Sequence, residues 1–143
     1  MTLDPYASAV TFCFGDSPEM ADELLALVIA GKKTATCGAV RDYGAESEPM
    51  PEVGRRDVVL DGRGRRAAVI ETVEVTIKRF DEVDEAFARA EGEGDLSYDY
   101  WRDEHQAYFE RNGGFSPEMD VVCERFRLIE VFAGAQDRER QDG

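Results

Sequence analysis

Gly31-Lys32-Lys33-Thr34-Ala35-Thr36-Cys37 is the stretch on which the reading of this chain turns. It closes an apolar helical segment and opens a β-rich one, with two cations and two hydroxyls at the junction. Gly31 suits the left-handed position just past a helix end. Thr34 to Val40 reads as a strand. Strand side chains alternate, so in a regular strand Lys32, Thr34 and Thr36 share one face and Lys33 lies on the other. Lys33 and Thr36 converge only if Lys33 still belongs to the turn, or if a bulge separates them.

Upstream, Gly15-Asp16-Ser17-Pro18-Glu19 is a helix start, with Ser17 as N-cap and Pro18 at the first helical position. Ala21, Leu24, Leu25, Val28 and Ile29 recur at helical spacing and predict a helix to about Ala30. Ala9 to Phe14 alternates and predicts a strand. Downstream, residues 41–53 hold Gly, Ser and prolines and read as a long loop, a candidate cover for a site. Val58-Val59-Leu60, the turn Asp61-Gly62-Arg63-Gly64 and Ala67 to Ile77 form a predicted hairpin. Glu71 falls among valines there and needs a partner. Asp81 is the expected cap of a short helix over Val83, Phe87 and Ala90. Ser97 caps a third helix carrying Tyr98, Trp101, His105, Tyr108 and Phe109. Val121 to Cys123 and Phe126 to Phe132 supply the last strand or strands. Strands joined by hairpins, with helices set apart, give an α+β class with a small curled antiparallel sheet.

The 143 residues fit one domain. The expected division is a lead-in over 1–8, the domain over 9–132 and a disordered polar tail over 133–143. A formal net charge of −14 opposes non-specific binding to DNA or long RNA. No apolar run approaches the ~20 residues of a membrane span. The N-terminus has no signal-peptide pattern, so a cytoplasmic location is expected. Cys13, Cys37 and Cys123 have no metal-ligand spacing and are expected as reduced thiols, with a cation-activated Cys37 as the alternative.

Taken with the run Phe80-Asp81-Glu82-Val83, the loop Ala90-Glu91-Gly92-Glu93-Gly94-Asp95 and Val121-Val122-Cys123-Glu124-Arg125-Phe126, the chain resembles the ASCH domain family over about residues 9–132. The resemblance implies a PUA-like β-barrel with flanking helices and a cleft for RNA or a modified nucleoside. One branch of that family hydrolyses the exocyclic amide of N4-acylated cytidine. Another includes a metal-assisted ribonuclease, which the full-length pattern resembles more closely. In the amidohydrolase branch the working groups are a lysine, a threonine three residues on and a later glutamate, and Lys33, Thr36 and Glu93 match them. The family motif G-x-K-x-x-[E/T]-x-R ends in an arginine where this chain has Gly38, with Arg41 three residues further on.

The expected catalytic set is therefore Lys33, Thr36 and Glu93, with Lys32, Arg41, Tyr43 and Ser97 binding substrate. A threonine hydroxyl needs a base to take its proton, and a lysine serves if burial or Lys32 lowers its pKa. No resident metal is expected, except Mn²⁺ or Mg²⁺ near Glu93 and Asp95 in the ribonuclease case. His105 and Trp101 read as structural members of the aromatic stripe. Arg63, Arg65 and Arg66 read as a solvated turn or as a phosphate contact. The rival to a hydrolase is a non-catalytic module that binds RNA or a modified nucleoside.

Overall fold

A computed structural model describes residues 4–44 and 49–132. The part of the long loop over 45–48, the first residues of the lead-in and the expected tail over 133–143 lie outside the described residues. The elements run β1 (Thr11–Phe12), α1 (Pro18–Ile29), β2 (Ala35–Ala39), β3 (Arg56–Leu60), β4 (Arg66–Arg79), α2 (Glu85–Glu91), α3 (Tyr98–Arg111) and β5 (Asp120–Val131).

Five strands form one sheet in the order β1-β3-β4-β5-β2. The expected α+β class holds, but the sheet is mixed, because β1 runs parallel to β3. Among the described residues no ladder joins β1 to β2, so the two edges stay open. The predicted hairpin forms, and Asp61 knots its turn by accepting from the Arg63 and Arg65 amides. Gly62 sits so close to the Pro18 carbonyl that a Cβ would collide with it. Its N–H donates to Asp22 at 2.7 Å, tying the turn to α1.

The long β4–β5 ladder is the spine, and its register slips twice. Each slip adds twist and bends the strands. Glu71 finds its partners in Arg56 and Arg127, which hold its carboxyl below the usual range. Apolar residues pack on both faces of the sheet. One cluster gathers Phe80, Phe87, Trp101, Phe109 and Cys123 under α2 and α3. The other gathers Phe14, Leu25, Val28, Ile70 and Phe126 under α1.

Helix starts follow capping chemistry. Ser17 accepts from the Met20 amide and Ser97 from the Tyr100 amide, as expected. The second helix begins later than expected. Asp84, not Asp81, accepts from the Phe87 amide. Asp81 lies in a separate short turn over Phe80–Glu82, where its carboxylate engages Arg79.

Candidate active site

The turn after α1 places Lys33. Gly31 takes a φ of +79°, and the amides of Lys32 and Lys33 both donate to the Leu27 carbonyl, at 2.9 and 3.1 Å. The strand starts only at Ala35. Lys33 thus lies ahead of the alternation, and its side chain turns inward until 1% is exposed.

The end of α2 crosses this turn. Thr34 donates its amide to the Ala90 carbonyl at 2.8 Å. Gly92, at φ +72°, lies against the Lys32 carbonyl so closely that any side chain would strike it. That crossing sets Glu91 and Glu93 around one ammonium. Lys33 Nζ lies 3.0 Å from Glu91 Oε1 and 3.0 Å from Glu93 Oε2. Glu91 is fully buried, whereas Glu93 keeps 21% of its side chain exposed.

The second oxygen of Glu91 accepts from Trp101 Nε1 and lies 3.1 Å from His105 Nε2. Trp101 and His105 are one helical turn apart on α3, with rings stacked at 4.5 Å. His105 Nδ1 lies 2.9 Å from the Trp101 carbonyl. A carbonyl only accepts, so Nδ1 carries a proton; a carboxylate only accepts, so Nε2 carries one too. Geometry therefore describes an imidazolium. Lys33 and His105 balance Glu91 and Glu93, and the buried net charge is near zero.

The titration shifts agree with that balance. Burial pushes Lys33 down, but the charges of Glu91 and Glu93 outweigh it and hold the ammonium above its ordinary value. Burial pushes Glu91 up, but His105 and Lys33 hold it down at about 2. Burial also pushes His105 down, and Glu91 more than reverses it. The lowering expected from burial or from Lys32 is outweighed by the two carboxylates, and the Lys33 pKa shifts upward instead. Lys32 itself is exposed.

Lys33, Thr36, Glu93 and Tyr43 all line one cleft of about 620 Å³. On the edge strand β2 the cleft is lined by residues of both parities, Thr36 and Gly38 together with Cys37. Thr36 pairs directly with Glu124 of β5, and Cys37 with Cys123. Gly38 has a steric reason: a Cβ there would sit 2.7 Å from the Tyr43 hydroxyl. The position that carries arginine in the family motif here gives its space to a tyrosine.

The remaining expected binding residues lie elsewhere. Arg41 is exposed and donates to the carbonyls of Gly114, at 2.6 Å, and Asn112, at 3.3 Å. It braces the end of α3 and is not part of the cleft wall. Ser97 is taken up by capping α3 and is also outside the wall. Lys32 is absent from it as well. In the hairpin, Arg65 pairs with Asp61 and Arg66 with Asp4, as a solvated turn does.

Sequence reasoning passed over Glu91, the structural role of His105 in charge balance, and Glu124. The available signal was the spacing of Trp101 and His105 on one helix face, shortly after a Glu-Gly-Glu-Gly run. Beside Glu124 lies a second polar group. Thr72 Oγ1 donates to Glu124 Oε2 at 2.7 Å, and Arg55 clamps Asp57 at 2.7 and 2.9 Å.

As to metals, the donor atoms of Cys37, Glu91 and His105 lie within 4.8 Å of one another. Thiol and imidazole suit a zinc-like ion, not Mn²⁺ or Mg²⁺. Both oxygens of Glu91 are already engaged by Lys33, Trp101 and His105. Asp95, the expected partner of Glu93, accepts from the Ser97 amide instead. The donor set does not fit a hard divalent cation. Among the described residues no helix is long and apolar enough to cross a membrane.

Comparison with known proteins bears on this geometry. The family model described as ASCH domain matches residues 10–130. A crystal structure of a protein from Enterococcus faecalis V583 is 37% identical, with 87% of this chain and 82% of that one covered and a TM-score of 0.77. The ASCH domain from Lactobacillus crispatus JV V101 is 31% identical, covering 86% and 80%, with a TM-score of 0.78. The ASCH protein of Zymomonas mobilis, 16% identical with 94% and 78% covered and a TM-score of 0.50, shares the fold. No curated protein matches the chain.

Proposed function

This chain belongs to the ASCH domain family, and from that premise we propose that it hydrolyses a modified nucleoside, cleaving the exocyclic amide of an N4-acylated cytidine. The observation that carries the reading is the buried Lys33 ammonium, paired with Glu93 in the cleft that Thr36 also lines. The cleft suits a small, uncharged ligand. Besides the balanced group around Lys33 and the Arg55–Asp57 pair, its wall includes Asp42, Glu104 and Glu124. Such a wall repels a phosphate backbone, and the chain's net charge of −14 adds to that. These features favour the nucleoside over single-stranded RNA.

In this reading Lys33 is the electrophilic group. Its positive charge, held in place by Glu91 and Glu93, favours the oxyanion that forms on the amide carbonyl. Thr36 Oγ1 attacks the carbonyl carbon and its proton passes to Glu93. When the tetrahedral intermediate collapses, the C–N bond breaks and Glu93 returns that proton to the departing nitrogen. Water, deprotonated by Glu93, then attacks the acyl-threonine ester. That step releases the carboxylic acid and restores the hydroxyl. Glu93 suits the role because its partial exposure opens it to the cleft, whereas Glu91 is sealed. Glu91 and His105 position the ammonium from behind.

The test is to incubate the purified chain with N4-acetylcytidine and, separately, with single-stranded RNA with and without Mn²⁺. Release of cytidine and acetate, with intact RNA, is the expected result. Glu93→Gln should slow the release by about 10²–10⁴-fold. RNA cleavage without amide hydrolysis overturns the reading. Ligand binding without turnover of either substrate marks a binding module instead.

A further inference from the structure

Glu124 is a buried carboxyl whose hydrogen bonding the protein leaves incomplete. It is 7% exposed and lines the cleft. Thr72 Oγ1 donates to Oε2 at 2.7 Å. Among the described residues no group donates to Oε1. Arg55, whose charge acts on Glu124, directs its Nε and Nη2 to Asp57 and its Nη1 to the Met50 carbonyl. A buried carboxyl oxygen without a donor is costly, so a bound donor has something to gain there.

Its position gives the free oxygen a meaning. Glu124 is the direct cross-strand partner of Thr36. Side chains opposite each other on one face start from Cβ atoms about 5 Å apart. On the same face, two residues along β2, Gly38 leaves room for Tyr43. Thr36 and Glu124 thus stand next to each other along one patch of the cleft wall, where one planar ligand can meet both.

We infer that Glu124 Oε1 accepts the N–H of the ligand's exocyclic nitrogen and thereby selects aminopyrimidine nucleosides for the Thr36 centre. The inference rests on the proposed amide chemistry for the identity of that nitrogen. In an N4-acylated cytidine the N–H adjoins the scissile carbonyl, so holding it fixes the carbonyl over Thr36. Glu124 is a recognition residue here; no bond is made or broken at its carboxyl. Thr72 orients it from below.

The experiment measures calorimetric binding of cytidine and of N4,N4-dimethylcytidine, which lacks the N–H, to the wild-type chain and to Glu124→Leu, Glu124→Gln and Thr72→Val. Wild type should prefer cytidine by about ten- to hundredfold. Glu124→Leu should lose that preference, and Glu124→Gln, which keeps an acceptor oxygen, should retain most of it. Thr72→Val should weaken cytidine binding by less than Glu124→Leu. Equal binding of the two nucleosides by wild type overturns the inference, as does an unchanged preference in Glu124→Leu or no cytidine binding at all. If Glu124→Leu does not fold, the wild-type comparison decides alone. Selective binding of cytidine without turnover of N4-acetylcytidine sinks the hydrolase reading and leaves Glu124 standing.

Discussion

Two polar clusters share the cleft, and they are finished to different degrees. Around Lys33 every charge has its counterpart: Glu91 and Glu93 on the ammonium, Trp101 and His105 on the far oxygen of Glu91. Around Glu124, which lines the cleft, Thr72 holds one carboxyl oxygen, and among the described residues no group donates to the other. A saturated buried network fixes geometry and electrostatics before any ligand arrives. A half-saturated one leaves a specific demand for the ligand to meet. In the proposed reading, the difference separates the part of the site that does chemistry from the part that chooses what it is done to.

The strongest blow to the contrast is Lys33→Ala. Removing one member of a buried ion network leaves Glu91 and Glu93 with His105 as their one remaining nearby cation among the described residues, and about 3–5 kcal/mol of stability should go with it. Chemical denaturation would measure that loss, and any folded fraction should lack amide hydrolysis. A variant as stable as wild type would mean that the network is not closed in solution.

A pH titration tests the same closure more gently. The folded pKa of His105 lies above its ordinary value of 6.5 because Glu91 favours the imidazolium. Its contribution to stability is then complete below about 6.5 and fades as pH rises through the folded value. Melting temperature should fall over that interval in wild type, and His105→Gln should flatten the fall. The depressed pKa of Glu91 acts in the opposite sense, with its contribution complete above about 4.5 and lost as pH falls towards about 2.

A smaller effect probes the open side. Gly38→Ala should press on the Tyr43 hydroxyl and weaken nucleoside binding by about tenfold. Adding Tyr43→Phe, which deletes the atom at 2.7 Å, should restore most of the loss. Smallest of all is Arg41→Ala. Its exposed guanidinium braces the Asn112 and Gly114 carbonyls, so about 1 kcal/mol of stability should go with kcat unchanged. A large fall in kcat would return Arg41 to the site.

Much of this was legible locally. Ser17 and Pro18 announce α1, Gly31 ends it, and Asp61 to Gly64 turns the hairpin, because each signal acts within a few residues. The misplaced start of α2 shows the limit of that locality. Asp81 and Asp84 are both capping residues by type, and pairing of Asp81 with Arg79 decides between them. Long-range geometry was harder to read. That β1 runs parallel to β3 depends on how α1 returns the chain. Glu91 lies 58 residues from Lys33 and meets it only because Gly92 lets α2 cross the turn. His105 was visible as one of a row of rings on α3, but nothing in that row reveals a carboxylate facing it.

The central claim is that a lysine ammonium held by two carboxylates and a threonine hydroxyl in one cleft perform amide hydrolysis. Steady-state kinetics on N4-acetylcytidine with Thr36→Val, which keeps the side chain's shape, address it directly. The account predicts a fall in kcat of at least about 10³-fold with the melting temperature within a few degrees of wild type. A folded Thr36→Val enzyme that hydrolyses the amide at the wild-type rate would contradict it.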